Sequence, residues 1–79
     1  MDVKRLQIFL NQDSDTRIAN SGLGSPGKET NIFGRLTRAA VIKFQEKYTE
    51  DILAPWKLTK GTGFVGKTTT AKINQLLGF

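Results

Sequence analysis

Apolar residues recur along this chain at helical spacing in three separate stretches, and polar residues gather between them. In the first stretch Val3, Leu6 and Leu10 fall at i, i+3 and i+7, a stripe that Phe9 or Ile8 widens, with Asp2 placed to cap the helix. Asn11 to Thr16 end it, because Asn, Asp and Ser compete for backbone hydrogen bonds. In the second, a helix starting just after Gly34 puts Thr37, Ala40, Val41, Phe44 and Tyr48 on one core face. Arg35, Arg38, Gln45 and Glu46 are expected opposite, with Ile42 among them as an apolar outlier covered by the preceding loop or by the segment 50–53. The third helix runs from about Lys67 to Leu77 on a stripe of Thr69, Ile73, Leu76 and Leu77, and Gly78 reads as its C-terminal stop.

The segments between these helices carry their own signals. Arg17, Ile18 and Ala19 predict a short extended piece. From Asn20 to Glu29, Gly22, Gly24, Pro26 and Gly27 specify turns, which predicts a structured surface loop rather than a linker. Thr49 is placed to cap a short helical turn through Leu53 that Pro55 must stop. Trp56 is expected to seal the core, and Lys60–Gly63 to form a tight loop. Together these elements predict an all-α fold: a single domain over residues 1–79, a three-helix bundle with a structured Gly/Pro loop and a short accessory helix.

The second and third helices share more than a period. Gly34, Thr37, Ala39, Val41 and Phe44 match Gly66, Thr69, Ala71, Ile73 and Leu76 at a constant offset (66 − 34 = 32), so the bundle is expected to rest on a duplicated loop–helix unit. Gly34 and Gly66 are assigned to backbone shape. Thr37 and Thr69 are expected to bond back into the loops before them.

Composition narrows the chemistry. A chain of 79 residues buries only about 60–65% of its unfolded surface. It has no Cys for a disulfide and no His for a metal or a general base, so packing must supply the stability. The absence of Cys does not fix a compartment. The N-terminal Met1-Asp2-Val3-Lys4-Arg5 leads into an amphipathic pattern without the apolar run of a signal peptide or membrane span, so if the domain is exported its signal is expected to belong to a longer parent chain or to have been removed. The 12 basic against 7 acidic residues give +5 and a pI near 9.9, a balance that favours anionic partners. The bases are scattered and never form a run of three, as on an ordinary solvated surface.

Without His or Cys, catalysis would fall to carboxylates, Lys, Tyr and hydroxyls. A glycosidase-like pair from Asp13, Asp15, Glu46, Glu50 and Asp51 has nothing to seat it in a pocket, so no catalytic residue, cofactor or metal is expected. Gly61-x-x-x-x-Gly66-Lys67-Thr68 matches a phosphate-loop string, but no buried strand precedes it and the chain is too short for a nucleotide-binding α/β fold. The repeat explains these glycines better. A small basic nucleic-acid-binding domain is the alternative class, although the long connection between the last two helices departs from a helix-turn-helix.

The pattern Phe33-Gly34-x-x-Thr37-x-Ala39-Ala40-Val41-x-x-Phe44-Gln45, led by Val3-Lys4-x-Leu6-Gln7-x-x-Leu10 and followed by Gly63-x-x-Gly66-x-x-Thr69, resembles the peptidoglycan-binding domain of the first type. This is the three-helix module attached to many bacterial and phage cell-wall hydrolases, and the resemblance covers nearly the whole chain. Thr30-Asn31 and Thr62-Gly63 stand where the family usually has Asp-Gly, and the loop from Arg17 to Glu29 and the connection from Thr49 to Lys60 are longer than usual. The resemblance implies non-catalytic binding of bacterial peptidoglycan by a monomer outside the cell or in the wall or periplasm, without nucleic acid or membrane insertion. It would raise the local concentration of a tethered catalytic domain at its substrate. The implied ligand residues lie at or beside the loop–helix junctions: Asn31, Arg35, Arg38, Tyr48, Trp56 and Thr62. Stem peptides carry free carboxylates, which suits the positive charge.

Overall fold

Asp2 caps the first helix as its position predicts: its carboxylate accepts the Arg5 backbone N–H at 2.8 Å. The computed structural model describes residues 2–78. It runs α1 (Val3–Asn11), α2 (Arg35–Lys47), α3 (Thr49–Ile52), a 3-10 turn (Ala54–Trp56) and α4 (Lys67–Leu77), with no strand among the described residues. The fold is all-α. No helix among these residues is long and apolar enough to cross a membrane.

The α1 stripe packs on α2, and α3 touches both α2 and α4. Leu6, Leu10, Ala40, Val41, Phe44 and Ile73 are buried at the centre, where Phe9 meets Phe44 edge-on at 5.4 Å between ring centroids. Phe9 rather than Ile8 widens the first stripe, for Ile8 is exposed. Tyr48 is half-buried beside Phe44, with the Lys72 ammonium 4.9 Å from its ring centroid and 2.8 Å from Asp51, a pairing that ties α4 to α3.

Several expectations are corrected by this packing. The segment expected to cover Ile42 instead drives Ile52 and Leu53 into the centre of the core, while Gly61 lies against the Ile42 backbone and side chain. A short apolar pair next to a proline carries no periodicity long enough to reveal that role. Trp56 does not seal the core; it is 57% exposed, while Leu53, just before the 3-10 turn, is buried. Leu76 and Leu77 are exposed, so the buried part of the α4 stripe is Thr69 and Ile73. Thr49 does not cap α3: its hydroxyl donates back to the Glu46 carbonyl at 2.7 Å. Arg17–Ala19 form irregular backbone rather than an extended piece, with Ile18 in the core.

The Gly/Pro loop is structured, as its turn chemistry predicts. Asn11 is buried and holds it from both ends: the side-chain amide donates to the Gly24 carbonyl at 2.8 Å and to Glu29 at 2.9 Å, while its oxygen accepts the Ile18 N–H. Gly22, Gly24 and Gly27 all have positive φ there, a conformation that side-chain-bearing residues seldom adopt.

Candidate functional site

Two buried glutamines build the loop–helix junctions. Gln7 of α1 shares its amide hydrogens among the Ile32 carbonyl (3.0 Å), the Thr37 hydroxyl (3.0 Å) and the Thr30 hydroxyl (3.5 Å), while its oxygen accepts the Thr30 N–H at 2.6 Å. Gln45 of α2 does the same one junction later. It donates to the Phe64 carbonyl (2.8 Å), the Thr69 hydroxyl (3.1 Å) and the Thr62 hydroxyl (3.3 Å), and accepts the N–H groups of Thr62 and Gly63. Three partners of Gln45 are those of Gln7 moved on by 32 positions (62 − 30, 64 − 32, 69 − 37), and the Gly63 N–H is added at the second junction. Gln45 was expected on the solvent face of α2; it is 1% exposed, because the second junction loop folds across that face. Thr37 and Thr69 therefore bond to these glutamines, and reach the preceding loops only through them.

Each junction carries a groove. The second, about 390 Å³, runs between the 3-10 turn and the first turn of α4 and is walled by Trp56, Leu58, Phe64 and Lys67 over a floor of Ile52 and Leu53. Trp56 presents its ring faces because its edge is tied down: the indole N–H donates to the Thr68 hydroxyl at 2.9 Å, which donates on to the Ile52 carbonyl at 2.7 Å. Phe64 is 75% exposed. The first groove, about 300 Å³, holds Arg35 beside the exposed aliphatic side chains of Leu23, Ile32 and Leu36, and among the described residues no aromatic ring lines it.

The six residues expected at the site divide among these places. Trp56 and Thr62 line the second groove, and Arg35 lines the first. Arg38 lies across the second junction loop, its guanidinium donating to the Thr62 carbonyl at 3.3 Å and its side chain covering Gly63. Asn31 accepts the Lys4 N–H at 3.2 Å, satisfying a donor in the first turn of α1. Tyr48 lines a smaller cleft of about 170 Å³ with Phe9, Phe44 and Leu76, away from both junction grooves. Phe64, Leu58 and Lys67 are wall residues that the sequence reading did not single out; Phe64 and Lys67 stood inside the glycine string around Gly66, where only the backbone drew notice.

The ion pairs found among the described residues lie outside the two junction grooves. Lys47 bonds both Asp13 and Asp15, which holds the Asp13 carboxyl below its ordinary value and raises the Lys47 ammonium above the usual lysine range. Glu29 is held low by its bond from Asn11. Among the described residues, no group of three or more acidic side chains is assembled to hold a metal ion. Comparison of the chain with protein-family models, with curated proteins and with solved structures returns no match.

Proposed function

We propose that this chain is a non-catalytic module that binds bacterial peptidoglycan and carries an attached or partner enzyme to the wall. The observation that carries the reading is the second junction groove, where Trp56 and Phe64 are exposed and which Lys67 also lines. Such a surface suits a polymer whose repeating unit has apolar faces and carboxylates. The resemblance at Phe33–Gln45 and its flanking segments supports it, as does the net charge of +5.

The same reading makes the fold a three-helix bundle built on a duplicated loop–helix unit, with α3 and the 3-10 turn as accessories. Support comes from the two glutamine networks, whose loop and threonine partners recur at a spacing of 32 residues. In this proposal the module is a monomer, works outside the cell or in the wall or periplasm as part of an exported parent, and needs no cofactor.

The test is retention on purified sacculi beside a DNA gel shift at about physiological salt. The expected result is sacculus binding that Trp56→Ala weakens about tenfold or more, as loss of an aromatic anchor does. Retention on DNA without retention on sacculi would replace this function with the nucleic-acid one.

A further inference from the structure

Resting on the peptidoglycan reading, we propose that the groove between the 3-10 turn and α4 takes the peptide part of the wall polymer rather than its glycan. Its ligand is a short segment with small apolar side chains and a free terminal carboxylate. Trp56 and Phe64 hold the apolar part, and Lys67 meets the carboxylate.

The inference follows from which polar groups of the groove are still available. Gln45 is fully engaged: its amide hydrogens go to Thr62, Phe64 and Thr69, and its oxygen takes two backbone N–H groups. The Thr68 hydroxyl accepts from Trp56 and donates to Ile52. The Thr69 hydroxyl accepts from Gln45. The Thr62 hydroxyl accepts from both Gln45 and the Phe64 N–H, and its hydrogen faces the Phe64 carbonyl at 3.4 Å. The indole N–H is taken by Thr68. Among the described residues, Lys67 is the wall side chain whose polar group has neither a hydrogen bond nor an ion pair.

Each ring of the glycan brings one or two free hydroxyls and an acetamido group, and each polar group moved from water against these walls without a partner weakens binding. Two aromatic faces, two leucines, one cation and the uncapped first-turn N–H groups of α4 do not meet that demand along a glycan strand. They do match an alanine-like methyl group followed by a carboxylate. Charge separates the two moieties further: with its lactyl groups amide-linked to peptide the glycan is neutral, and the free carboxylates sit on the peptides. The first groove has no aromatic wall among the described residues and is not part of this site.

The experiment is a ¹⁵N-resolved NMR titration of the whole chain with three soluble probes. These are diacetyl-Lys-D-Ala-D-Ala, its C-terminal amide, and peptide-free glycan strands released from sacculi by amidase and then capped as methylamides at the lactyl carboxylates that the enzyme frees. Binding of the free acid should move the Trp56 indole and the Lys67 and Thr68 amide signals. Amidation of the carboxylate, or Lys67→Ala against the free acid, should each weaken binding about tenfold, and the two changes together no further. Shifts with glycan strands but not with the tripeptide would overturn the inference and leave peptidoglycan binding standing. Equal binding of acid and amide would also overturn it. Failure to bind intact sacculi would remove both readings.

Discussion

The Gln45 amide lies 3.1 Å from the Thr69 hydroxyl, joining α2 to the first turn of α4 through a fully buried hydrogen bond. Removing that side chain strands more than one partner. In Gln45→Leu the N–H groups of Thr62 and Gly63 and the Phe64 carbonyl all lose their contact, and each buried orphan costs about 1–3 kcal/mol. Urea unfolding should therefore report a loss of about 3–4 kcal/mol, since part of the loop can turn to water. Gln7→Leu strands one N–H, that of Thr30, and the Ile32 carbonyl, one partner fewer, and should lose less. Equal effects at the two positions would mean that the second junction is not the more tightly built.

The glycines reverse an expectation drawn from the repeat. Gly34 and Gly66 have φ near −100°, extended backbone open to any residue, and a Cβ at Gly34 would come no closer than 3.9 Å to another atom. Neither helix has a side-chain cap there, so Gly34→Ser should raise stability by a few tenths of a kcal/mol. The constrained glycines lie earlier in the second loop. A Cβ at Gly61 would sit 2.8 Å from the Ile42 carbonyl oxygen, which is backbone and cannot swing away, and Gly63 combines φ +77° with the Arg38 side chain at 2.7 Å. Gly61→Ala and Gly63→Ala should each lower stability by about 1–3 kcal/mol. Thermal melts of the three variants check the order.

How far the sequence carries can be read from these same residues. The three long helices were legible because period and caps agree, with Asp2 and Gly78 marking ends where the structure has them. Gln45 was not, because its polarity placed it outside while its burial depends on a loop about 17 residues further along the chain. The one local clue was the likeness of Phe44-Gln45 to Leu6-Gln7. For the site, Trp56 was legible as an unusual residue near a junction but was assigned to the core. Its indole is held on the surface by Thr68, twelve residues further along, a contact that no window of local sequence displays.

Acid should unlock the contact between α2 and the loop after α1. The Asp13 carboxyl lies below its ordinary value of 3.8, chiefly through its bond from Lys47 and then through the Asp15 N–H. A pKa lower in the folded than in the unfolded chain adds stability that is complete above the unfolded value and fades as pH falls through the folded one. Glu29, held low by Asn11, acts in the same direction. The melting temperature should thus be flat from about pH 7 to pH 5 and drop below about pH 4. Asp13→Asn should flatten part of that drop, and added salt should shrink it because the pair is half-exposed.

Trp56 separates binding from stability. With 57% of its surface exposed, Trp56→Ala should cost no more than about 1 kcal/mol in unfolding while removing most sacculus retention. Trp56→Phe keeps a ring face but loses the N–H to Thr68, leaving the ring free to turn. It should retain intermediate binding in the same pull-down. Full binding by Trp56→Ala would exclude the groove as the site.

Lys57, next to that ring, is the non-glycine residue with positive φ among those described, at φ 58° and ψ 35°. Its left-handed turn lets the Lys57 and Leu58 N–H groups close on the carbonyls of Ala54 and Leu53 at 2.9 and 3.0 Å, and so fixes where Trp56 projects. A side chain in that conformation costs about 1–2 kcal/mol, which glycine avoids. Glycine returns about 0.5–1 kcal/mol of that through the greater freedom of the unfolded chain. Lys57→Gly should therefore gain up to about 1 kcal/mol, and Lys57→Ile, β-branched and ill-suited to positive φ, should lose stability. Because both hydrogen bonds survive in Lys57→Gly, its sacculus binding should equal that of the parent. A Lys57→Gly protein that melts lower than the parent would show that the left-handed turn carries no strain for glycine to relieve.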